Sequence, residues 1–223
     1  MFKRLFSSIT RVFYESFNAS SMSKIKDVKT PTVSVINSPN NFVKQMNIVH
    51  PQLTGYIIEK IYTEVLNGND DPTMILDTIQ VYKHRDKFDE LYKIIMDNID
   101  EYVKFVHYCY ENQMIKNIIS CQDDLSFKTH YCCKVKQYKC FADIMTSDEI
   151  IDIKVTKNPI VTKNNKVSSV GVKYYNQLMT YAIGSKMKYN FYPKQIKLIN
   201  FYHNNIISWT PDESDYENYF NKL

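Results

Sequence analysis

Residues 139–155 constrain the fold of this chain more than any other segment, because their side chains alternate with a period of two on both sides of a turn. One strand ends at Asp143 or just after it, Thr146, Ser147 and Asp148 supply turn residues, and residues 149–155 return as a second strand. The pattern predicts a β-hairpin.

On the returning strand, Asp152 and Lys154 alternate with three aliphatic residues, so the two polar groups share one face. The hairpin also places Asp143 beside Asp152 on the adjacent strand. Two carboxylates and an ammonium are thereby brought together, and carboxylate oxygens are ligands that suit Mg²⁺. A surface hairpin with solvated charges is the alternative that these residues leave open.

The length of 223 residues predicts one domain with a terminal extension. The net charge of +4 is too small to indicate nucleic acid. However, residues 125–200 hold thirteen lysines against four acidic residues, a local charge of +9. This segment surrounds the hairpin and would attract a phosphate backbone, as a metal-dependent phosphodiesterase requires, although solvated surface lysines would give the same count.

The sequence also excludes several classes of protein. No apolar run approaches the roughly 18 residues of a membrane span, so no transmembrane segment is expected. The five cysteines are odd in number and lack CxxC spacing. They predict neither a zinc site nor a disulfide framework, and they favour a reducing intracellular compartment.

Residues 2–17 place apolar side chains on a helical stripe with Lys3, Arg4 and Arg11 off it, which predicts an amphipathic helix. This helix is interpreted as a mitochondrial presequence, a membrane-surface segment, or a helix that docks on the domain. Residues 19–51 are rich in Ser, Asn, Thr, Lys and Pro and predict a linker or an irregular lead-in to the domain. The chain is therefore divided into an N-terminal segment, 1–50, and a domain, 51–223.

Apolar spacing predicts the elements of that domain. Helices are expected from Thr54 to the Asn67-Gly68-Asn69 stop, after a cap at Asp71, and as one long helix or a pair over residues 84–112. Strands are expected over 114–119 and 126–141, before the hairpin. A helix over 171–183 and strands over 195–201 and 205–209 complete the prediction.

Over residues 54–209, the order of these parts resembles the PD-(D/E)xK nuclease superfamily, and within it the RecB-like and lambda-exonuclease-like branch. The resemblance rests on a helix with Gly and Glu, an Asp on one strand, Asp-x-Lys on the next, and a helix with Gln-x-x-x-Tyr: Gly55, Glu59, Asp143, Asp152, Lys154, Gln177 and Tyr181. The chain departs from the branch at residues 140–142, where Cys-Phe-Ala replaces a frequent Gly.

The resemblance implies an α/β (α+β) fold with a restriction-endonuclease-like core: a central mixed sheet flanked by helices, with a helical N-terminal part. It further implies Mg²⁺, replaceable by Mn²⁺, held by Asp143, Asp152, Glu59 and the main-chain carbonyl of Ile153. Lys154 would position the attacking water and, if its surroundings lower its pKa, help to deprotonate it. Gln177 and Tyr181, four residues apart on one helix face, would orient the active site and the DNA strand.

The function expected from these residues is Mg²⁺-dependent hydrolysis of DNA, by an exonuclease that acts on DNA ends in repair, recombination or replication. DNA and other replication or repair proteins are the expected partners. No iron–sulfur cluster is expected, because no cysteine follows Cys140. The alternative is a non-catalytic nucleic-acid-binding or scaffold protein that retains the nuclease fold, and a third hypothesis is recruitment to a membrane surface by the N-terminus.

Overall fold

The computed structural model describes residues 13–18, 33–37, 42–113, 118–131, 134–164 and 166–223. Helices within these ranges are α1 (Phe42–Val49), α2 (Pro51–Leu66), α3 (Pro72–Ile79), α4 (Phe88–Met96), α5 (Ile99–Gln113), α6 (Ser169–Tyr189) and α7 (Glu213–Phe220). Strands are β1 (Phe13–Asn18), β2 (Val33–Asn37), β3 (Ile118–Asp124), β4 (Phe127–Tyr131), β5 (Lys134–Lys139), β6 (Phe141–Thr146), β7 (Glu149–Lys154), β8 (Gln195–Asn200) and β9 (Asn205–Trp209).

The hairpin lies inside a six-stranded mixed sheet with the order β2-β9-β8-β7-β6-β3. Strands β7 and β8 are parallel, and the other neighbours in this sheet are antiparallel. Because parallel strands need a long crossover, α6 connects β7 to β8. Strands β1, β5 and β4 form a second sheet of three. The prediction of an α/β protein with a mixed sheet is confirmed.

The two faces of the six-stranded sheet pack against different helices. Ile144, Ile151 and Ile153 belong to a core cluster that includes residues of α1 to α5. Met145 and Ile150 belong to a second cluster, with residues of α6 and α7. Alternate side chains of the hairpin therefore face opposite sides of the sheet, and each side packs against its own helical layer. The site residues lie between these two layers.

The predicted hairpin is confirmed as β6 and β7, which pair through Ile144 with Ile151 and Met145 with Ile150. The Thr146 hydroxyl accepts the N–H groups of Asp148 and Glu149 at 3.2 and 2.9 Å, so it closes the turn. These bonds explain why β6 continues beyond Asp143 as far as Thr146.

The helix that carries Glu59 begins three residues before the predicted Thr54. His50 caps it, because Nδ1 of this residue accepts the N–H of Leu53 at 3.0 Å, and Pro51 occupies the first turn, where its missing N–H is harmless. The helix ends at Leu66, before Gly68 with φ of +84°. The predicted cap of α3 is confirmed, since the Asp71 carboxylate accepts the Thr73 N–H at 2.8 Å.

The prediction of an N-terminal helix is wrong for Phe13–Asn18, which form β1 and pair in parallel with β5. An apolar pattern this short does not distinguish a helix from a strand. Pairing with the distant strand β5 determines that these residues form a strand. Residues 1–12 lie outside the described residues. The linker interpretation also needs correction, because β2 joins β9 and α1 packs in the helical layer.

Two strand predictions also differ from the structure. The segment 126–141 was predicted as one strand, but it holds the antiparallel pair β4 and β5 and the first residue of β6. Strand β3 covers Ile118–Asp124 and so extends past the end of the predicted 114–119, of which residues 114–117 lie outside the described residues. In the described part of the chain, no helix combines the length and the apolar character needed to cross a membrane.

Candidate active site

Strands β6 and β7 bring Asp143 and Asp152 together, as the hairpin predicts. Both carboxylates are buried, with residue exposures of 8% and 1%. Asp143 lies just beyond the paired residues of the hairpin, and its Oδ2 accepts the main-chain N–H of Ile153 at 2.6 Å. A charge-assisted bond of this length fixes the Asp143 carboxylate against β7.

Lys154 completes the predicted acid, acid and lysine set. Its Nζ lies 2.6 Å from Oδ2 of Asp152, and its side chain is one-quarter exposed, at 25%. The same Nζ lies 5.9 Å from the centre of the Tyr174 ring on α6, within range of a cation–π contact. The ammonium therefore sits between the buried acids and the protein surface.

Glu59 reaches this site through an intermediary. The side-chain amide nitrogen of Gln122 on β3 donates to Oε1 of Glu59 at 2.5 Å and to Oδ1 of Asp143 at 3.3 Å. One nitrogen thus joins a carboxylate on α2 to a carboxylate on β6. The structure brings the predicted third acid to the site in this way.

The carboxylates repel one another. Burial is the main cause that raises the pKa of Asp143 well above its usual value, and the charges of Asp152 and Glu59 raise it further. Burial also raises the pKa of Glu59, against the opposing effects of the Gln122 bond and Lys154. Three acids face one ammonium here, so the site lacks positive charge.

The structure does not meet the condition for Lys154 to act as a base. Burial by itself lowers the pKa of this lysine, but the charges of Asp152 and Asp143 outweigh burial, and the pKa is raised. Without a cation, Lys154 is therefore held as an ammonium that can donate hydrogen bonds, and its role in removing a proton from water stays a prediction.

Gln177 and Tyr181 lie on α6 next to the acids. Both are buried, with exposures of 5%, and the Gln177 amide donates to the Tyr181 hydroxyl at 2.5 Å. Burial raises the pKa of Tyr181, and the negative charge of Asp152 is the next cause. The orienting roles of both residues stay predictions.

The donor set fits a cation in its chemistry, although its geometry is not that of a finished metal site. Within the described residues, no three His, Cys, Asp or Glu side chains converge closely enough to hold one ion. Nitrogen atoms of Gln122 and Lys154 lie against the carboxylates where a cation would bind. A divalent cation would stabilise the ionised form of these acids, which burial and their mutual repulsion oppose.

The predicted carbonyl ligand at Ile153 stays a prediction. The main-chain N–H of this residue bonds Asp143, and the residue pairs with Ile199 of β8.

Sequence reasoning missed Gln122 and Tyr174. Gln122 is a polar residue on a strand whose period gives no sign that it faces an acid on another element. Tyr174 is three residues before Gln177, so its helical spacing could have placed it near the site.

A second acidic pair, Asp123 and Asp124, serves a different purpose. The Asp123 carboxylate accepts Nζ of Lys188 at 2.7 Å and the hydroxyl of Tyr189 at 2.8 Å. Asp124 caps a turn by accepting the N–H of Ser126 at 2.9 Å. Asp123 therefore fastens β3 to the end of α6, and this role is structural.

Asp123→Asn is expected to lower the free energy of unfolding by about 1–2 kcal/mol, because it removes a charged hydrogen bond. Burial alone raises the pKa of Asp123, but the bonds from Lys188 and Tyr189 outweigh it and the pKa is lowered. The stabilisation is thus present above the ordinary Asp pKa of about 3.9 and disappears as the pH falls through the folded-state value. Urea unfolding at pH 7 and pH 3 measures this; an equal loss at both would contradict the assignment.

No protein-family model matches the chain, and the search of curated proteins found no match either.

Proposed function

We propose that this chain is a Mg²⁺-dependent DNA nuclease with Asp143, Asp152 and Glu59 as cation ligands and Lys154 as the catalytic cation. The observation that carries the proposal is the buried pair Asp143 and Asp152 beside Nζ of Lys154, 2.6 Å from Asp152. Burying carboxylates costs stability, and acids with perturbed pKa values cluster at functional sites, so this pair supports an active site.

A bound Mg²⁺ would polarise the phosphoryl oxygen and lower the pKa of the attacking water. The residues of the chain supply the rest of the chemistry. Lys154, held as an ammonium, donates hydrogen bonds to the water or to a phosphoryl oxygen and offsets the charge that develops there. Gln177 and Tyr181, joined by a hydrogen bond on α6, would orient the active site and the DNA strand.

The charge distribution around the site supports a polyanionic substrate. No aspartate or glutamate occurs between Asp152 and Asp212 in the sequence. Exposed lysines follow the hairpin in the loop before α6 and in its first turns: Lys157, Lys163, Lys166 and Lys173. A surface of this sign attracts a phosphate backbone and makes binding depend on salt.

The fold supports the same class of enzyme. A mixed sheet with helical layers on both faces, and with α6 as the crossover from β7 to β8, agrees with the restriction-endonuclease-like core that the resemblance implies. We extend the proposal to an exonuclease that acts on DNA ends, because end-processing enzymes dominate the branch that the sequence resembles.

Purified protein incubated with linear single-stranded, linear double-stranded and covalently closed DNA tests this function. We expect both linear substrates to lose nucleotides in Mg²⁺ or Mn²⁺, closed circles to survive, and excess EDTA to stop the reaction. Cleavage of closed circles would indicate an endonuclease and not an exonuclease. Cleavage that persists in EDTA would reject the cation mechanism.

A nucleic-acid-binding or scaffold protein without turnover is the second candidate. The specific observation in its favour is that no three ligand side chains of the described residues converge on one point. Under this alternative, the basic surface binds DNA with steep salt dependence, binding does not change with divalent cations, and no condition yields cleavage.

A further inference from the structure

We propose that Gln122 is a positioning residue whose side-chain amide joins Glu59 to Asp143 in the cation-free protein and competes with the cation for that position. This inference rests on the proposed cation site. It adds a residue on β3, outside the acid, acid and lysine set, and it assigns that residue a role in cation affinity.

The geometry fits a group that stands in for a cation. The Gln122 amide nitrogen has two N–H groups, and the two carboxylate oxygens that it contacts lie at 2.5 and 3.3 Å. Only the NH₂ half of the amide can bond both carboxylates, because the amide oxygen would repel them. An ion that took Glu59 and Asp143 as ligands, at about 2.0–2.1 Å from each oxygen, would have to displace this nitrogen.

The backbone at Gln122 gives an independent observation. Its φ is +55°, in the left-handed region that non-glycine residues seldom adopt. Residues on each side of it pair with β6, Cys121 with Ile144 and Asp123 with Ala142, so Gln122 lies across from Asp143.

The side chain of Gln122 is not held by burial in the core, since the residue is exposed. Its neighbour Asp123 bonds Lys188 and Tyr189, so the two adjacent side chains contact different partners. The unfavourable backbone conformation at Gln122 therefore places its amide where it can bond both carboxylates.

The amide can leave without unfolding the site. An exposed side chain can rotate into solvent, where water replaces its hydrogen bonds. A cation that binds here must first break two bonds to charged oxygens, and this cost weakens its affinity. Removal of the amide should increase that affinity, whereas a merely structural role predicts a decrease.

Calorimetric titration of MnCl₂ into wild type, Gln122→Ala and Gln122→Gly tests the competition. Glycine adopts the left-handed conformation without strain, so the second variant keeps the test valid if alanine disturbs β3. We expect both variants to bind Mn²⁺ about tenfold more tightly than wild type, which corresponds to about 1.4 kcal/mol. The rise in melting temperature from EDTA to Mn²⁺ should also be larger for both variants than for wild type.

The outcomes separate this inference from the proposed function. If wild type binds Mn²⁺ and the variants bind it equally or more weakly, the proposed competition is overturned and the nuclease proposal stands. No binding by wild type or either variant at millimolar Mn²⁺ rejects the cation site and the inference with it. Asp123→Asn, a change in the adjacent residue outside the site, should keep the wild-type affinity.

Discussion

Asp143→Asn is expected to raise the melting temperature of the cation-free protein and to lower Mg²⁺-dependent DNA cleavage at least about a hundredfold. Burial and the charges of Asp152 and Glu59 oppose ionisation of Asp143, which is why its pKa is raised. Asparagine keeps the shape and can still accept the Ile153 N–H, but it carries no charge, and its NH₂ group replaces the oxygen that accepts the 3.3 Å bond from Gln122. The protein would gain stability and lose a cation ligand.

The gain in stability should depend on pH with a defined sign. Because the pKa of Asp143 is raised in the folded protein, the wild type loses stability as the pH rises from the ordinary Asp value of about 3.9 through the folded-state value. The difference between Asp143→Asn and wild type should therefore be small near pH 3 and should grow as the pH rises through the folded-state value of Asp143. A gain of about 1 kcal/mol would raise the melting temperature by about 2–4 °C for a domain of this size.

Thermal melts in EDTA over this pH range, paired with cleavage assays in Mg²⁺, measure both halves of the prediction. Asp123→Asn is the matched control, because it removes a neighbouring buried carboxylate that is paired with Lys188. The control should lose stability and keep activity. If Asp143→Asn lost stability in the same way as the control, the carboxylate would be a structural group, and the account of the site would be wrong.

Gly184→Ala is expected to destabilise the protein by at least about 3 kcal/mol. A Cβ at this position would overlap the main-chain oxygen of Leu125 and lie 2.9 Å from the Cβ of Leu125. Backbone cannot move aside as a flexible side chain can. Helix α6 would have to shift away from the segment between β3 and β4, and the face that carries Gln177 and Tyr181 would move with it.

Gly55→Ala is the matched control, since a Cβ there meets nothing within 4 Å. It lies inside α2, where alanine should add about 0.5–1 kcal/mol of stability through helix propensity. Urea unfolding of the two variants gives the comparison. Equal effects of the two substitutions would refute the packing of α6 against Leu125.

The hairpin could be predicted from sequence because local alternation determines it. Ile151, Ile153 and Val155 were expected on one face, and all three pack in the same core. The contact of Asp152 with Lys154 followed from their spacing of two. The caps at Asp71 and the stop at Gly68 were predictable for the same reason: the residues that make them are neighbours in the chain.

The parts that depend on distant pairing could not be predicted. Phe13–Asn18 form a strand because β5 lies beside them, which no local pattern reveals. Gln122 contacts Glu59 across 63 positions of sequence, and this bond depends on how β3 and α2 pack. The raised pKa of Lys154 also arises from the tertiary structure, since Asp143 and Asp152 surround one ammonium.

We propose that Asp152 and Lys154 hydrolyse DNA with a divalent cation. Release of acid-soluble nucleotides from linear DNA in Mg²⁺, by wild type, Asp152→Asn, Lys154→Ala and Asp123→Asn at equal concentration, tests it most directly. We predict that wild type and Asp123→Asn release nucleotides at similar rates and that the other two are slower by about 10²–10³-fold. Unchanged release by Asp152→Asn or Lys154→Ala would contradict the account.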